Sequence, residues 1–388
     1  MENSQPHSGR GFVELMSIDY KETCANLVFR CSDSLSSLFW SERTVSVHSD
    51  IVLTKCETVL SSLFCLLMAP LGWMYGISIY SNLGIFDTVR EAIDSVGQFT
   101  CAHYGWKYRD SLENVITRPQ LRGVRDIGIG ALLFSGGVDS ISALLDRKAH
   151  VGYLVTLENF DVLDGSMSTG QLRKRGRDLD FLSRLFGKPV LRIRTNVADV
   201  IQHSALDRNF PTGCSFWYGL QHVHHAAFAI GFLDLPIDTV YVGGSFKKLH
   251  HRAGSCAASS EFVERYDWGR RITLVEENVS RQEKIEKILD LAPEVLKRIR
   301  VCYETGGGTC RRCPKCVGTA LMIVAGGGRL ANTAFGKGMF RGIHRFTEMS
   351  LARPDRDMMF DQALSGRLLS GGVANRIKQL QALVAAEA

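Results

Sequence analysis

The chain has 388 residues, a net charge of +6, 22% charged and 45% hydrophobic residues, a globular profile that excludes a disordered or fibrous protein. So mild a charge on so long a chain suits an anionic small ligand such as a nucleotide and is no footprint for nucleic acid. Eleven cysteines are too sparse for a secreted disulfide scaffold, and four of them crowd into one short segment.

The polar start MENSQPHSGR lacks the apolar stretch of a secretory signal, so reduced thiols and a cytoplasmic location are expected. Short strands are read at NLVFRCS and TVSVHS. No charge occurs between Glu57 and Asp87, and Leu63–Tyr80 is long enough to test as a membrane span. Pro70, Gly72 and Gly76 and a change of period favour two buried elements instead. These are a helix in SDIVLTKCETVLSSLFCLLMA capped by Ser49 or Asp50, and a strand in WMYGISIY, joined by PLG. The Pro/Gly/Arg-rich TRPQLRGVRDIGIG then closes an N-terminal α+β region, 1–127.

From residue 128 strands and helices alternate. ALLF leads to SISALLDRK, VGYLVTL to GQLRKRGRDLDFLSRLFG, PVLRIRT to the run around GLQHVHHAAFAIGFL, and TVYVGG to a later helix. This rhythm predicts an α/β domain, 128–327, with a parallel sheet covered on both faces. A helical C-terminal tail, 328–388, follows. The basic cluster QLRKRGR reads as a solvated helix face. Of the histidines in QHVHHAAF, His222 and His225 share a helical face without an evident third metal ligand. His250 and His251 fall in a loop.

Two segments carry chemistry. In ALLFSGGVDSISALL an apolar strand stops at Ser135-Gly136-Gly137, and after Val138 and Asp139 a helical pattern begins straight away at Ser140. A strand–glycine turn–helix points successive amides and the positive helix end into one concavity, which is an anion site. Ser135 and Ser140 add hydroxyls, and Asp139, which repels bare phosphate, suits a magnesium ion bridging phosphates. The Walker and dinucleotide patterns are both absent. Further on, Cys302, Cys310, Cys313 and Cys316 have the spacing C-x7-C-x2-C-x2-C. Four thiolates so close suit a single tetrahedral zinc, while an iron–sulfur cluster or redox thiols use the same ligands.

SGGVDS between a strand and a helix resembles the pyrophosphate loop of the N-type ATP pyrophosphatase superfamily. The resemblance implies an adenine nucleotide α-hydrolase-like, doubly wound parallel sheet. It also implies cleavage of ATP between the α and β phosphates, with an adenylylated substrate taken by an amine, ammonia or sulfur. Strand ends would then bring Glu158, Asn159, Asp161 and Asn196 to nucleotide or substrate. The loop followed by a cysteine knuckle is similar to the 7-cyano-7-deazaguanine synthase family over Ala131–Thr319. There VYVGGSFKKLHHRAGSC falls where that family has its substrate loop, and SRQEKIEKI brings Arg281 and Lys284 to the phosphates. The long N-terminal region departs from the synthase and is more similar to its longer relatives beside biosynthetic and defence genes.

The resemblance therefore implies an ATP-dependent carbon–nitrogen ligase. Asp139, Ser135 and Lys284 would be its catalytic residues, ATP, Mg2+ and Zn2+ its cofactors, and a small acid or amide with ammonia or an amine its substrates. A sulfur transferase using Cys214 or Cys256, or a non-catalytic nucleotide-binding protein, stays as the alternative. Neither nucleic acid nor membrane is expected as a partner, and a homo-oligomer is left open.

Overall fold

In the central strands apolar residues alternate, and the two faces of the sheet bury them in two separate cores. In the strand before SGGVDS, Ala131 faces the first core and its neighbour Leu132 the second. In the next strand Val155 and Leu154 divide in the same way, as the period of two requires. The computed structural model describes residues 11–112, 114–119, 129–159, 168–209, 222–244, 260–266, 271–276, 278–302, 309–311, 313–336 and 339.

The strands are β1 (Phe12–Lys21), β2 (Cys24–Cys31), β3 (Thr44–Ser49), β4 (Ser78–Ser81), β5 (Ile85–Phe86), β6 (Thr117–Arg118), β7 (Ile129–Leu133), β8 (Val151–Glu158), β9 (Val190–Thr195), β10 (Ile237–Gly243) and β11 (Arg271–Val275). The helices are α1 (Glu57–Tyr75), α2 (Asp87–Tyr104), α3 (Val138–Arg147), α4 (Thr169–Phe186), α5 (Val197–Val200), α6 (His203–Asn209), α7 (His222–Gly231), α8 (Ser260–Val263), α9 (Arg281–Leu291) and α10 (Pro314–Ala325).

Nine strands form one sheet in the order β11-β10-β7-β8-β9-β3-β2-β1-β4, and β5 and β6 form a separate pair. From β11 to β9 every neighbouring pair is parallel. β3 joins β9 antiparallel, so the N-terminal strands continue the same sheet. Helices α1, α2 and α7 supply the first core, and α3, α4, α9 and α10 the second. The molecule is thus an α/β protein with a large, mostly parallel sheet and helices on both faces. After β7 the chain moves to β8 on one side, whereas β10 and β11 lie on the other. The carboxyl ends of β7 and β10 therefore flank the switch point where open α/β sheets bind ligands.

The uncharged segment differs from the sequence reading. The helix starts at Glu57, after Cys56, and not at Ser49 or Asp50, and it runs unbroken through Pro70 and Gly72 to Tyr75. Only Ser78–Ser81 is strand. A proline inside a helix removes the donor to the carbonyl four residues earlier, that of Leu66. His224 of α7 donates to this carbonyl through Nε2, so its other ring nitrogen, Nδ1, accepts from the Tyr266 hydroxyl at 2.5 Å. The donor that Pro70 lacks comes from another helix. α1 is also the one helix among the described residues long and apolar enough to cross a membrane, yet 83% of its most apolar window is buried inside the protein. It is the core helix of the first layer.

Burial holds the His224 ring far below the usual imidazole range, at about 3, and lowers His203 to about 4. Both rings are neutral in the fold but take protons in the unfolded chain below pH ~6.5. Stability is therefore complete above that pH and is lost as pH falls towards the two folded values, at up to about 1.4 kcal/mol per pH unit for each ring. His224→Phe is expected to destabilise the protein by about 2 kcal/mol at pH 7, through the orphaned Leu66 carbonyl and the lost bond from the Tyr266 hydroxyl. It should also roughly halve the acid slope. Urea midpoints between pH 7.5 and 4.5 test both effects, and an unchanged midpoint at pH 7 contradicts the capping role.

Candidate functional site

β7 ends in a turn that the sheet holds rigidly. The Phe134 amide donates to the Val155 carbonyl at 2.8 Å, and the Thr156 hydroxyl donates to the Phe134 carbonyl at 2.6 Å. Gly136 follows with φ +73°, a left-handed conformation that glycine alone adopts without steric cost. Gly137 is the N-cap of α3 in extended conformation and offers no capping side chain. The first-turn amides of α3 consequently have no acceptor within the helix, and they carry its positive end. Val138 is fully buried in the second core, so it contributes its amide and anchors the turn. The Ser140 hydroxyl donates to the Gly137 carbonyl at 3.1 Å and lies 3.4 Å from the Ser135 hydroxyl.

β10 closes the other wall. A Cβ on Gly243 would stand 2.6 Å from the Asp139 carbonyl, so only glycine lets this strand end meet the first turn of α3. α9 approaches through a capping box between Ser280 and Glu283, which satisfies its first amides and sets where its first turn begins. Three residues apart on one face, Arg281 and Lys284 both reach Asp139. The Arg281 guanidinium is 3.1 Å from one carboxylate oxygen and the Lys284 ammonium 3.3 Å from the other. Lys284 is fully buried and also donates to the Gly244 carbonyl. One carboxylate, two cations, two hydroxyls and a row of helix-start amides thus share the switch point.

The remaining strand-end residues diverge. Glu158, at the end of β8, pairs with Arg194 at 2.9 Å. Asn159 takes φ +54° and donates to Asp199 at 2.9 Å. Asn196, expected near nucleotide or substrate, is bonded to β3 here. Its Oδ1 accepts from the Ser46 amide at 2.7 Å and its Nδ2 donates to the Thr44 carbonyl at 2.9 Å, so both ends of the amide are spent fastening β3 to β9. Asp161, His250, His251, Cys214 and Cys256 lie outside the described residues, as do residues 340–388 of the expected helical tail. In the basic cluster Arg173, Lys174 and Arg177 are exposed, while Arg175 is buried and donates to the Leu157 carbonyl at 2.7 Å.

The four knuckle cysteines converge. The sulfurs of Cys302, Cys310, Cys313 and Cys316 all lie within 4.8 Å of one another. Cys302–Cys313 and Cys310–Cys316 are each 3.9 Å apart. Zn–S bonds of about 2.3 Å set tetrahedral sulfurs about 3.8 Å apart, so the spacing fits a metal ion held by four thiolates. Arg311 turns the loop with φ +61°. The Cys313 amide donates to the Cys310 sulfur at 3.1 Å and the Cys316 amide to the Cys313 sulfur at 3.4 Å. Cys313 is also the N-cap of α10. The hydrogen bond with Cys313, and then burial, push the Cys316 thiol strongly up. Four thiolates this close would be stable only with a cation among them. Away from the knuckle, burial pushes Cys65 and Cys101 up to about 12, which makes them packing residues and not nucleophiles.

Arg300 was not among the residues read from the sequence. Its amide donates to the Gly136 carbonyl at 2.9 Å, and its guanidinium donates to the Ser135 carbonyl at 2.9 Å. Comparison with protein-family models, with curated proteins and with solved structures gives no match, so the functional reading rests on the site's own chemistry.

Proposed function

We propose that this chain is an ATP-dependent carbon–nitrogen ligase of the N-type ATP pyrophosphatase kind, doubly wound, which releases AMP and pyrophosphate. The observation that carries the reading is the convergence of Arg281 and Lys284 on Asp139 beside a left-handed Gly136 at the start of α3. Nucleotide phosphates would lie against the amides of Gly136 to Ser140 and the hydroxyls of Ser135 and Ser140, where the helix start favours an anion. A carboxylate or amide oxygen of the substrate attacks the α-phosphorus, and the α–β bond breaks. Lys284 and Arg281 stabilise the charge that builds on the departing pyrophosphate, which is electrostatic catalysis from preorganised donors. From an acyl adenylate, ammonia or an amine displaces AMP to give an amide; an adenylylated primary amide instead loses AMP and a proton to give a nitrile.

Asp139 would hold a magnesium ion, which when bound neutralises phosphate charge. The four cysteines would hold zinc in a closed site that supports structure and leaves no open position for catalysis. The test is to incubate isotope-labelled ATP and magnesium with a pool of carboxylic acids and ammonia, and to separate the products by charge. AMP and pyrophosphate support the reading. ADP and phosphate overturn it, and tight ATP binding without turnover favours the non-catalytic alternative.

A further inference from the structure

Arg300 holds the carbonyls of two consecutive loop residues and lies close behind a third. Its guanidinium takes the Ser135 carbonyl and its amide takes the Gly136 carbonyl. Its own carbonyl lies where a Cβ on Gly137 would come within 3.0 Å. In a planar trans peptide the N–H points opposite to the preceding C=O. Drawing the carbonyls of Ser135 and Gly136 towards Arg300 therefore turns the amides of Gly136 and Gly137 to the opposite side, where the Gly137 amide donates to the Ser135 hydroxyl at 3.3 Å, an acceptor that a bound anion would displace. That is the arrangement by which a turn gathers an anion.

Arg300 is itself held. Ile299 and Val301 on either side are buried in the second core, and two residues on comes Cys302, its sulfur 3.9 Å from that of Cys313. The loop and the four-cysteine centre are thus joined by a segment anchored at both ends.

We infer that Arg300 is a positioning residue which transmits the rigidity of the four-cysteine centre to the anion loop, so that metal loading and anion affinity are coupled. The inference rests on the proposal that the loop receives pyrophosphate. Removing the guanidinium donor leaves the backbone contact in place, so the turn persists but loosens.

The test uses the full-length zinc-loaded protein, with inorganic pyrophosphate as the probe. Arg300→Met is expected to bind it roughly tenfold more weakly by calorimetry, the worth of one charge-assisted hydrogen bond, with unchanged zinc content and thermal midpoint. Hydrogen exchange should quicken in a peptide spanning residues 131–145. The same peptide should quicken in wild-type protein in the first minutes after a chelator is added, while circular dichroism still shows native α-helix and before the metal-free chain unfolds. Arg300→Lys should recover part of the affinity. If wild type binds no pyrophosphate, the reading of the loop fails. If wild type binds and Arg300→Met binds equally well, the positioning role fails while the loop reading stands. If Arg300→Met weakens binding without altering exchange in the loop, Arg300 touches the anion directly and the inference is overturned.

Discussion

Asp139→Asn is expected to lower turnover by a hundredfold or more, since it weakens the hold on the magnesium ion proposed to neutralise the leaving group, and losing one such electrostatic contact costs on the order of 3 kcal/mol. The side chain is nearly isosteric, so the turn forms. The fold is nevertheless weakened, because the buried Lys284 ammonium keeps only the Gly244 carbonyl and Arg281 loses its carboxylate. Breaking a pair this buried is destabilising; as Asp139 itself is part-exposed, about 2 kcal/mol is expected. Turnover under saturating substrate and the urea midpoint separate the two effects. A variant as fast as wild type contradicts the role given to Asp139, and an unchanged midpoint contradicts the role of its two ion pairs.

Cys313→Ser is expected to abolish metal binding and leave the protein insoluble. Cys313 contributes a sulfur to the cluster and also caps α10, whose Val317, Ala320, Leu321 and Ile323 fill the second core. Structural zinc contributes about 10 kcal/mol or more of folding free energy, comparable with the whole stability of a domain. Elemental analysis of wild type should find a single zinc per chain. Cys24→Ser, on β2 and outside the cluster, should keep both metal and solubility. Iron in wild type, or soluble and metal-free Cys313→Ser, contradicts the assignment.

What could be read from the sequence was local. β3 matches TVSVHS, and β7 to β10 and α3, α4 and α9 fall on the apolar runs and cap signals that mark them. The cysteine spacing and SGGVDS stand out because few other roles need those residues together. Distance along the chain hid the rest. Pro70 reads as a helix end unless one knows that His224 meets Leu66, 158 residues away. Asn196 looks like a turn-former at a strand end, yet it stitches to Ser46 across 150 residues. Arg300 is an arginine like any other until it meets Ser135, 165 residues before it. The pairing of β3 with β9, which carries the sheet across residue 127, leaves no local mark either. β1 and β11 are likewise not among the strands expected from the sequence.

The most direct measurement is calorimetric titration of inorganic pyrophosphate into the zinc-loaded protein, beside an identical titration of Lys284→Met. Methionine fills the buried space of the lysine stem while Asp139 keeps Arg281, so the fold should survive with its zinc. If the switch point is a pyrophosphate site, wild type binds stoichiometrically and the variant at least tenfold more weakly, a difference of about 1.4 kcal/mol or more. A wild type that takes up no pyrophosphate, or a Lys284→Met variant that binds it equally well, would contradict the pyrophosphate site.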